Sequence, residues 1–160
     1  MIIDSNDLRA GNHIKPITAM EKSNQIGSDK PWYHGSPKKL TRLKAGSTVT
    51  QRFEIARIFS HKPAVVVGNG AKWKHTGPFI KGFVYRLLGS VSKNDIVAVP
   101  NSTMSKGDEW NTQREFRLEL VAETIVNPAE LLTKRELKEM VKRGEIEKNI
   151  VDTIIQKQQY

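Results

Sequence analysis

Between residues 32 and 126 the apolar positions come in short bursts, not in long helical stripes. "KPWYHGS" is an aromatic run that stops at Gly35, and "GSTVTQ" is rich in β-branched residues, so both read as short strands or strand ends. "QRFEIARIFSHK" sets Phe53, Ile55, Ile58 and Phe59 at helical spacing before Pro63, which predicts one helix among the strands. "PAVVVGNG" reads as an apolar strand closing in a Gly-Asn-Gly turn, and "KGFVYRLLG" and "DIVAVP" as two further strands. The clearest alternation lies in "REFRLELVAETIV". Phe116, Leu118 and Leu120 fall on one face and Arg117, Glu119 and Val121 on the other, which predicts the longest strand of the protein.

After residue 126 the period changes from two to about 3.6. Asn127 stands as a cap before Pro128, with Glu130 two residues on, and "TKRE" repeats the capping-box pattern from Thr133 to Glu136. Leu137, Met140 and Val141, then Ile146, Ile150 and Ile154, recur at helical spacing, with Gly144 as a break. Two helices packed on the sheet are expected; the functional alternative for this segment is binding of another protein. Residues 1–30 are polar, contain Gly11, Pro16 and Gly27, and lack a strong period, so they read as a loosely attached, weakly structured arm. The expected organisation is an arm over 1–30, a core over 31–126 and a helical segment over 127–160, in the α+β class.

Composition narrows the function. A hydrophobic content of 38% with 27% charged residues fits a globular protein in water, and no apolar run approaches the ~18 residues of a membrane span. The start "MIIDSNDLRAG" has no basic flank before an apolar stretch, so no secretory signal is read there. Cysteine is absent, which excludes disulfides and the commonest zinc sites and fits a reducing compartment; a cytoplasmic location is expected. The net charge of +9 is uneven: residues 30–86 hold 12 Lys/Arg and the single acid Glu54, a local +11. A solvated basic face is one reading, and phosphate binding is the other. A dinucleotide pyrophosphate needs only about one or two cations, so the excess points to an anionic macromolecular partner.

The candidate chemistry centres on "WYHGS". His13, His34, His61 and His75 are too dispersed for a zinc motif, and no metal is expected. His34 could still meet His61 or His75 in space, as a histidine-based nuclease requires. No P-loop, G-x-G-x-x-G or G-x-S-x-G occurs. One constellation remains. His34 ends an early strand and is followed by Gly35-Ser36; the hydroxyl-rich "GSTVT" comes next, then the aromatic helix "RFEIARIFS", and a glutamate opens the strand in "TQREFRLEL".

This order resembles the ADP-ribosyltransferases, in particular their diphtheria-toxin-like and rifampicin-modifying branches, over roughly residues 32 to 121. The resemblance implies two small, mainly antiparallel sheets forming a cleft for NAD. His34 would hydrogen-bond the nicotinamide-side ribose, the Gly35 backbone would hold the nicotinamide amide, and Ser36 would lie beside the adenosine ribose. Thr48 and Thr50 would line the NAD site. Phe53 or Phe59 would stand where the family has a stacking tyrosine. Glu115 would be the catalytic glutamate, and Gln113 would handle the acceptor. The paired tyrosines of the polymer-forming branch are missing, so mono-ADP-ribosylation is implied.

Each residue also has a purely structural reading: His34 as a hydrogen-bonded strand end, Phe53 and Phe59 as core, Glu115 as a solvent-facing position beside Phe116. Three functions stay open. They are a mono-ADP-ribosyltransferase, an NAD-consuming RNA 2′-phosphotransferase-like enzyme, and a non-catalytic basic module that binds nucleic acid. The transferase reading carries the sharpest expectation, that His34 and Glu115 face one cleft.

Overall fold

The computed structural model describes residues 2–4, 29–68, 72–78 and 80–158. Within them the chain forms β1 (Ile2–Asp4), β2 (Tyr33–Ser36), β3 (Arg42–Leu43), β4 (Thr48–Val49), α1 (Phe53–Phe59), β5 (Val66–Gly68) and β6 (Trp73–His75). There follow β7 (Gly82–Leu87), β8 (Ile96–Ala98), β9 (Trp110–Thr112), β10 (Phe116–Thr124), a 3-10 turn (Pro128–Glu130), α2 (Lys134–Lys142) and α3 (Lys148–Lys157). The class is α+β. The strands make three sheets where two were expected, with orders β2-β7-β10-β3, β4-β9-β8 and β1-β5-β6. Pairing is antiparallel except where β1 runs parallel to β5.

Ile2–Asp4 therefore belong to a sheet, although they were read as part of a loose arm. The rest of that arm, and Asn69 and Gly70 of the expected turn, lie outside the described residues. β3, β6 and β9 were not anticipated; each has two or three residues, too few to display an alternation.

β10 is the longest described strand, as its pattern predicts. The register with β7 shifts between Leu120 and Ala122, so Leu120, which still pairs with Tyr85, lies before the shift. Such a bulge turns the following pleat over. Phe116 is buried and Leu118 half-buried, but Leu120, expected on the same face, is 46% exposed.

The first two sheets close on Trp32, Leu43, Val49, Leu87, Ile96, Trp110 and Phe116. Trp32 and Trp110 meet edge to face at 5.8 Å, a favourable aromatic geometry. A bridge between Tyr33 and Thr50 stitches β2 to β4. α1 lies directly on β2 and β7, and glycine permits the approach: a Cβ on Gly35 would stand 1.9 Å from the Ala56 carbonyl oxygen. One on Gly82 would stand 2.1 Å from Ser60 Oγ. Ile55 and Ile58 of α1 pack in turn on Val66, Trp73 and Met104.

At the C-terminal end Asn127 Oδ1 accepts the Ala129 amide, but Pro128–Glu130 make only a 3-10 turn. The helix starts at the second cap, where Thr133 and Glu136 form both bonds of the capping box. Gly144 takes φ 72° between the two helices, a left-handed conformation that costs glycine little. Leu137, Met140, Ile146, Val151 and Ile154 bury their face against Val65 and Leu132. Among the described residues no helix is long and apolar enough to cross a membrane.

Candidate functional site

β2, β4 and the chain entering β9 lie side by side, and α1 covers one side of the space beside them. Val49 pairs with Trp110 and Tyr33 bridges to Thr50, so Glu109, one residue before Trp110, comes level with the ends of β4 and β2. The result is a cavity of about 190 Å³. Its walls are Tyr33, His34 and Gly35 from β2, Thr48, Val49 and Thr50 from β4 and its end, and Ile55, Ala56 and Phe59 from α1. Asp108 and Glu109 complete the lining.

His34 is fixed by the neighbouring strand. Its Nδ1 lies 2.7 Å from the Thr48 carbonyl oxygen. A carbonyl only accepts, so Nδ1 carries the proton and Nε2 keeps its lone pair. Burial pushes the His34 pKa below the ordinary histidine value, and the bond to Thr48 partly opposes that. His34 therefore stands in the site as a neutral ring with one acceptor nitrogen.

The two carboxylates differ. Asp108, 13% exposed, accepts from the Arg52 guanidinium at 3.0 Å. Arg52 in turn lies over the Trp73 ring, 5.6 Å from its centre. Glu109 has no cation beside it among the ion pairs of the described residues; its Oε2 accepts the Ser102 hydroxyl. Glu109 also lines a second cavity, of about 410 Å³, within the loop of residues 98–107. Glu109 thus lines both a small recess and a larger one.

The expected residues divide. His34, Gly35, Thr48, Thr50 and Phe59 converge on the one cavity. Phe53 does not line it and packs edge-on against Tyr33 at 5.6 Å. Ser36 is buried outside it, with its hydroxyl taken by the Lys38 amide at 3.1 Å in a local turn. Gln113 is exposed, and its side-chain amide reaches only the neighbouring Thr112 carbonyl. Glu115 is not in the cavity. Its carboxylate is 51% exposed and accepts from Arg42 at 2.6 Å, across the β3–β10 pair. Glu115, expected to face one cleft with His34, lies at the start of β10 beside β3, whereas Glu109, just before β9, lines the cavity together with His34.

Tyr33, Asp108 and Glu109 were missed. The stretch "GDEWNTQ" gives no strand signal, and Glu109 is placed only by the pairing of β9 with β4. Gly35 earns its place by packing as well, since a side chain there would strike α1.

His61 and His75 do not join His34. They stack on each other at 6.0 Å with an 11° tilt, both fully buried. His61 Nδ1 donates to the Ile80 carbonyl at 2.7 Å, and His75 Nδ1 accepts the Gly77 amide at 3.0 Å. Neither Nε2 has a hydrogen-bond partner among the described residues. Among the described residues there is also no group of three or more His, Asp or Glu arranged to hold a metal ion. No protein-family model matches this chain, and no curated protein matches it closely enough in sequence to count as a relative.

Proposed function

We propose that the protein is a mono-ADP-ribosyltransferase of the NAD-cleaving kind, with Glu109 in the role that the sequence reading gave to Glu115. The observation that carries this is that His34, Gly35, Thr48, Thr50, Tyr33, Phe59 and Glu109 all line one cavity. The recess is small beside the roughly 300–1,000 Å³ of whole-ligand sites. It suits one flat ring, so the nicotinamide would enter it and the rest of the dinucleotide would lie outside.

The chemistry asks little of the protein beyond position and charge. The bond between the ribose anomeric carbon and the ring nitrogen breaks, and its electron pair leaves with nicotinamide, which departs neutral. The sugar passes through an oxocarbenium-like state, as in glycoside cleavage. Glu109 supplies a fixed negative charge beside that centre. His34 Nε2 accepts a ribose hydroxyl, and Tyr33 and Phe59 hold the ring in line. The acceptor's nucleophile then adds to the anomeric carbon and loses its proton to solvent. Asp108 is neutralised by Arg52 and contributes less to the local field.

Nicotinamide release from NAD, with and without a cell extract as the source of acceptor, tests the reading. Glu109→Gln keeps the shape and removes the charge, so release should fall roughly 10² to 10³-fold, while Glu115→Gln stays near wild type. Full activity in Glu109→Gln, or loss in Glu115→Gln alone, would reject the assignment.

A further inference from the structure

We infer that Ser102 is a positioning residue that holds Glu109 in its reactive orientation, an inference that rests on the NAD-cleaving reading of the site. Ser102 does not line the recess that holds His34; it belongs to the larger cavity on the other side of Glu109. Its hydroxyl is committed in both senses. Oγ accepts the Met104 amide at 3.1 Å and donates to Glu109 Oε2. A hydroxyl has one proton, so with the Met104 amide fixed on its lone pair that proton points at the carboxylate.

The loop behind Ser102 is anchored strongly enough to make the bond directional. Met104 is buried with Ile55, Ile58, Val66 and Trp73 under α1. The Val99 amide donates to the Glu109 carbonyl at 3.2 Å and closes the loop at its base. The Asp108 amide reaches the Ser105 carbonyl at 3.1 Å, and Trp110 Nε1 reaches the Gly107 carbonyl at 2.9 Å. Ser102 therefore moves with the core, not with solvent.

Glutamate needs such a device. Its side chain turns about three bonds and, left alone, spreads over many rotamers. With Oε2 held, Oε1 is the oxygen left for the sugar; it has no hydrogen-bond partner among the described residues. A carboxylate displaced by about 1 Å loses much of its effect on a charge that appears at one atom. Hydrogen bonds from behind that orient metal-ligating side chains are worth about 10- to 100-fold, and an effect of that order is expected for a bond that orients Glu109.

The test is nicotinamide release by the full chain with Ser102→Ala and Ser102→Thr, kcat and KM being measured separately and folding followed by thermal melting. Ser102→Ala should lower kcat about 10- to 100-fold with KM for NAD within about twofold of wild type, because the ring recess and His34 are untouched. Ser102→Thr keeps the hydroxyl and should recover most of the loss. A Ser102→Ala kcat close to wild type, while Glu109→Gln is impaired, overturns the role of Ser102 and leaves the function standing. A fall in kcat that Ser102→Thr fails to restore, or one matched by an early melt, makes Ser102 merely structural and also overturns it. Absence of nicotinamide release from the wild type defeats the NAD reading, and Ser102 with it.

Discussion

His34 is held ready before any ligand arrives, because the Thr48 carbonyl fixes its tautomer. A sign follows for pH. Burial lowers the folded pKa of His34 below the ordinary value near 6.5, so the ring is neutral at and above that pH. Protonation would put a hydrogen on Nε2 and turn the acceptor for the ribose into a donor. KM for NAD should therefore stay flat from about pH 6.5 upward and rise only at more acidic pH. A KM transition centred above that value, or one that survives His34→Gln, would show that His34 is not the ribose contact. Among the aromatics, Phe59 faces the recess and Phe53 does not, although the two are equivalent in the sequence pattern. Residue type selected the pair, and their six-residue spacing, about 120° apart around α1, separated them.

At the scale of elements, the join between the C-terminal helices and the core is the most exposed to acid. The His75 carbonyl accepts the Leu132 amide at 2.9 Å, Arg57 of α1 bonds Glu130 at 2.7 Å, and Gln158 reaches the Thr76 carbonyl at 2.8 Å. Inside this join sit His61 and His75. Burial lowers both pKa values, that of His75 to about 4, with the charge of His61 as the next cause. The charged groups that act on the pair are Arg57, which opposes protonation, and Glu130, which favours it. The unfolded chain takes up protons near pH 6.5 and the folded pair resists them. Stability is therefore full above that pH and falls as pH drops from about 6.5 towards 4, by an amount of order 3 kcal/mol for His75 alone. Denaturant midpoints measured across this range should show the slope, and the double variant His61→Phe/His75→Phe should flatten it. Equal slopes in the two proteins would place the acid sensitivity elsewhere.

For the whole molecule, the basic stretch reads differently once folded. Of the 12 Lys/Arg in residues 30–86, at least six form ion pairs among the described residues: Arg42, Arg52, Arg57, Lys74, Lys81 and Arg86. Their partners Asp108, Glu115, Glu119, Glu123, Glu130 and Glu136 come from the later part of the chain. The local +11 is thus partly answered across the sheets, notably by β10 against β3 and β7. Exposed pairs of this kind contribute little stability and leave the net +9 intact. We therefore retain an anionic acceptor as a proposal. Its affinity should fall steeply between roughly 50 and 200 mM salt as neutralised phosphates release counterions. Binding that is flat over that range, measured by fluorescence anisotropy with labelled RNA and DNA, would leave the basic balance as a matter of solubility.

What the sequence determined by itself was local. Periods of two and 3.6 identify β10, α1, α2 and α3, the apolar run "KGFVYRLLG" identifies β7, and the Thr133–Glu136 capping box starts its helix where its residues say, because these signals act within a few positions. His34, Gly35, Thr48 and Thr50 were grouped by the resemblance in motif order, and they lie on β2 and on β4 and its end. The carboxylate proposed for catalysis was not legible. Glu115 and Glu109 both precede a strand in the same region of sequence, and nothing local separates them. The choice is made by strand order, which pairs β9 with β4 next to His34 and sends the start of β10 to β3. Sheet pairing is a long-range decision driven by the burial of Trp32, Val49, Trp110 and Phe116 in one core, so only the tertiary structure could decide which glutamate stands beside the histidine.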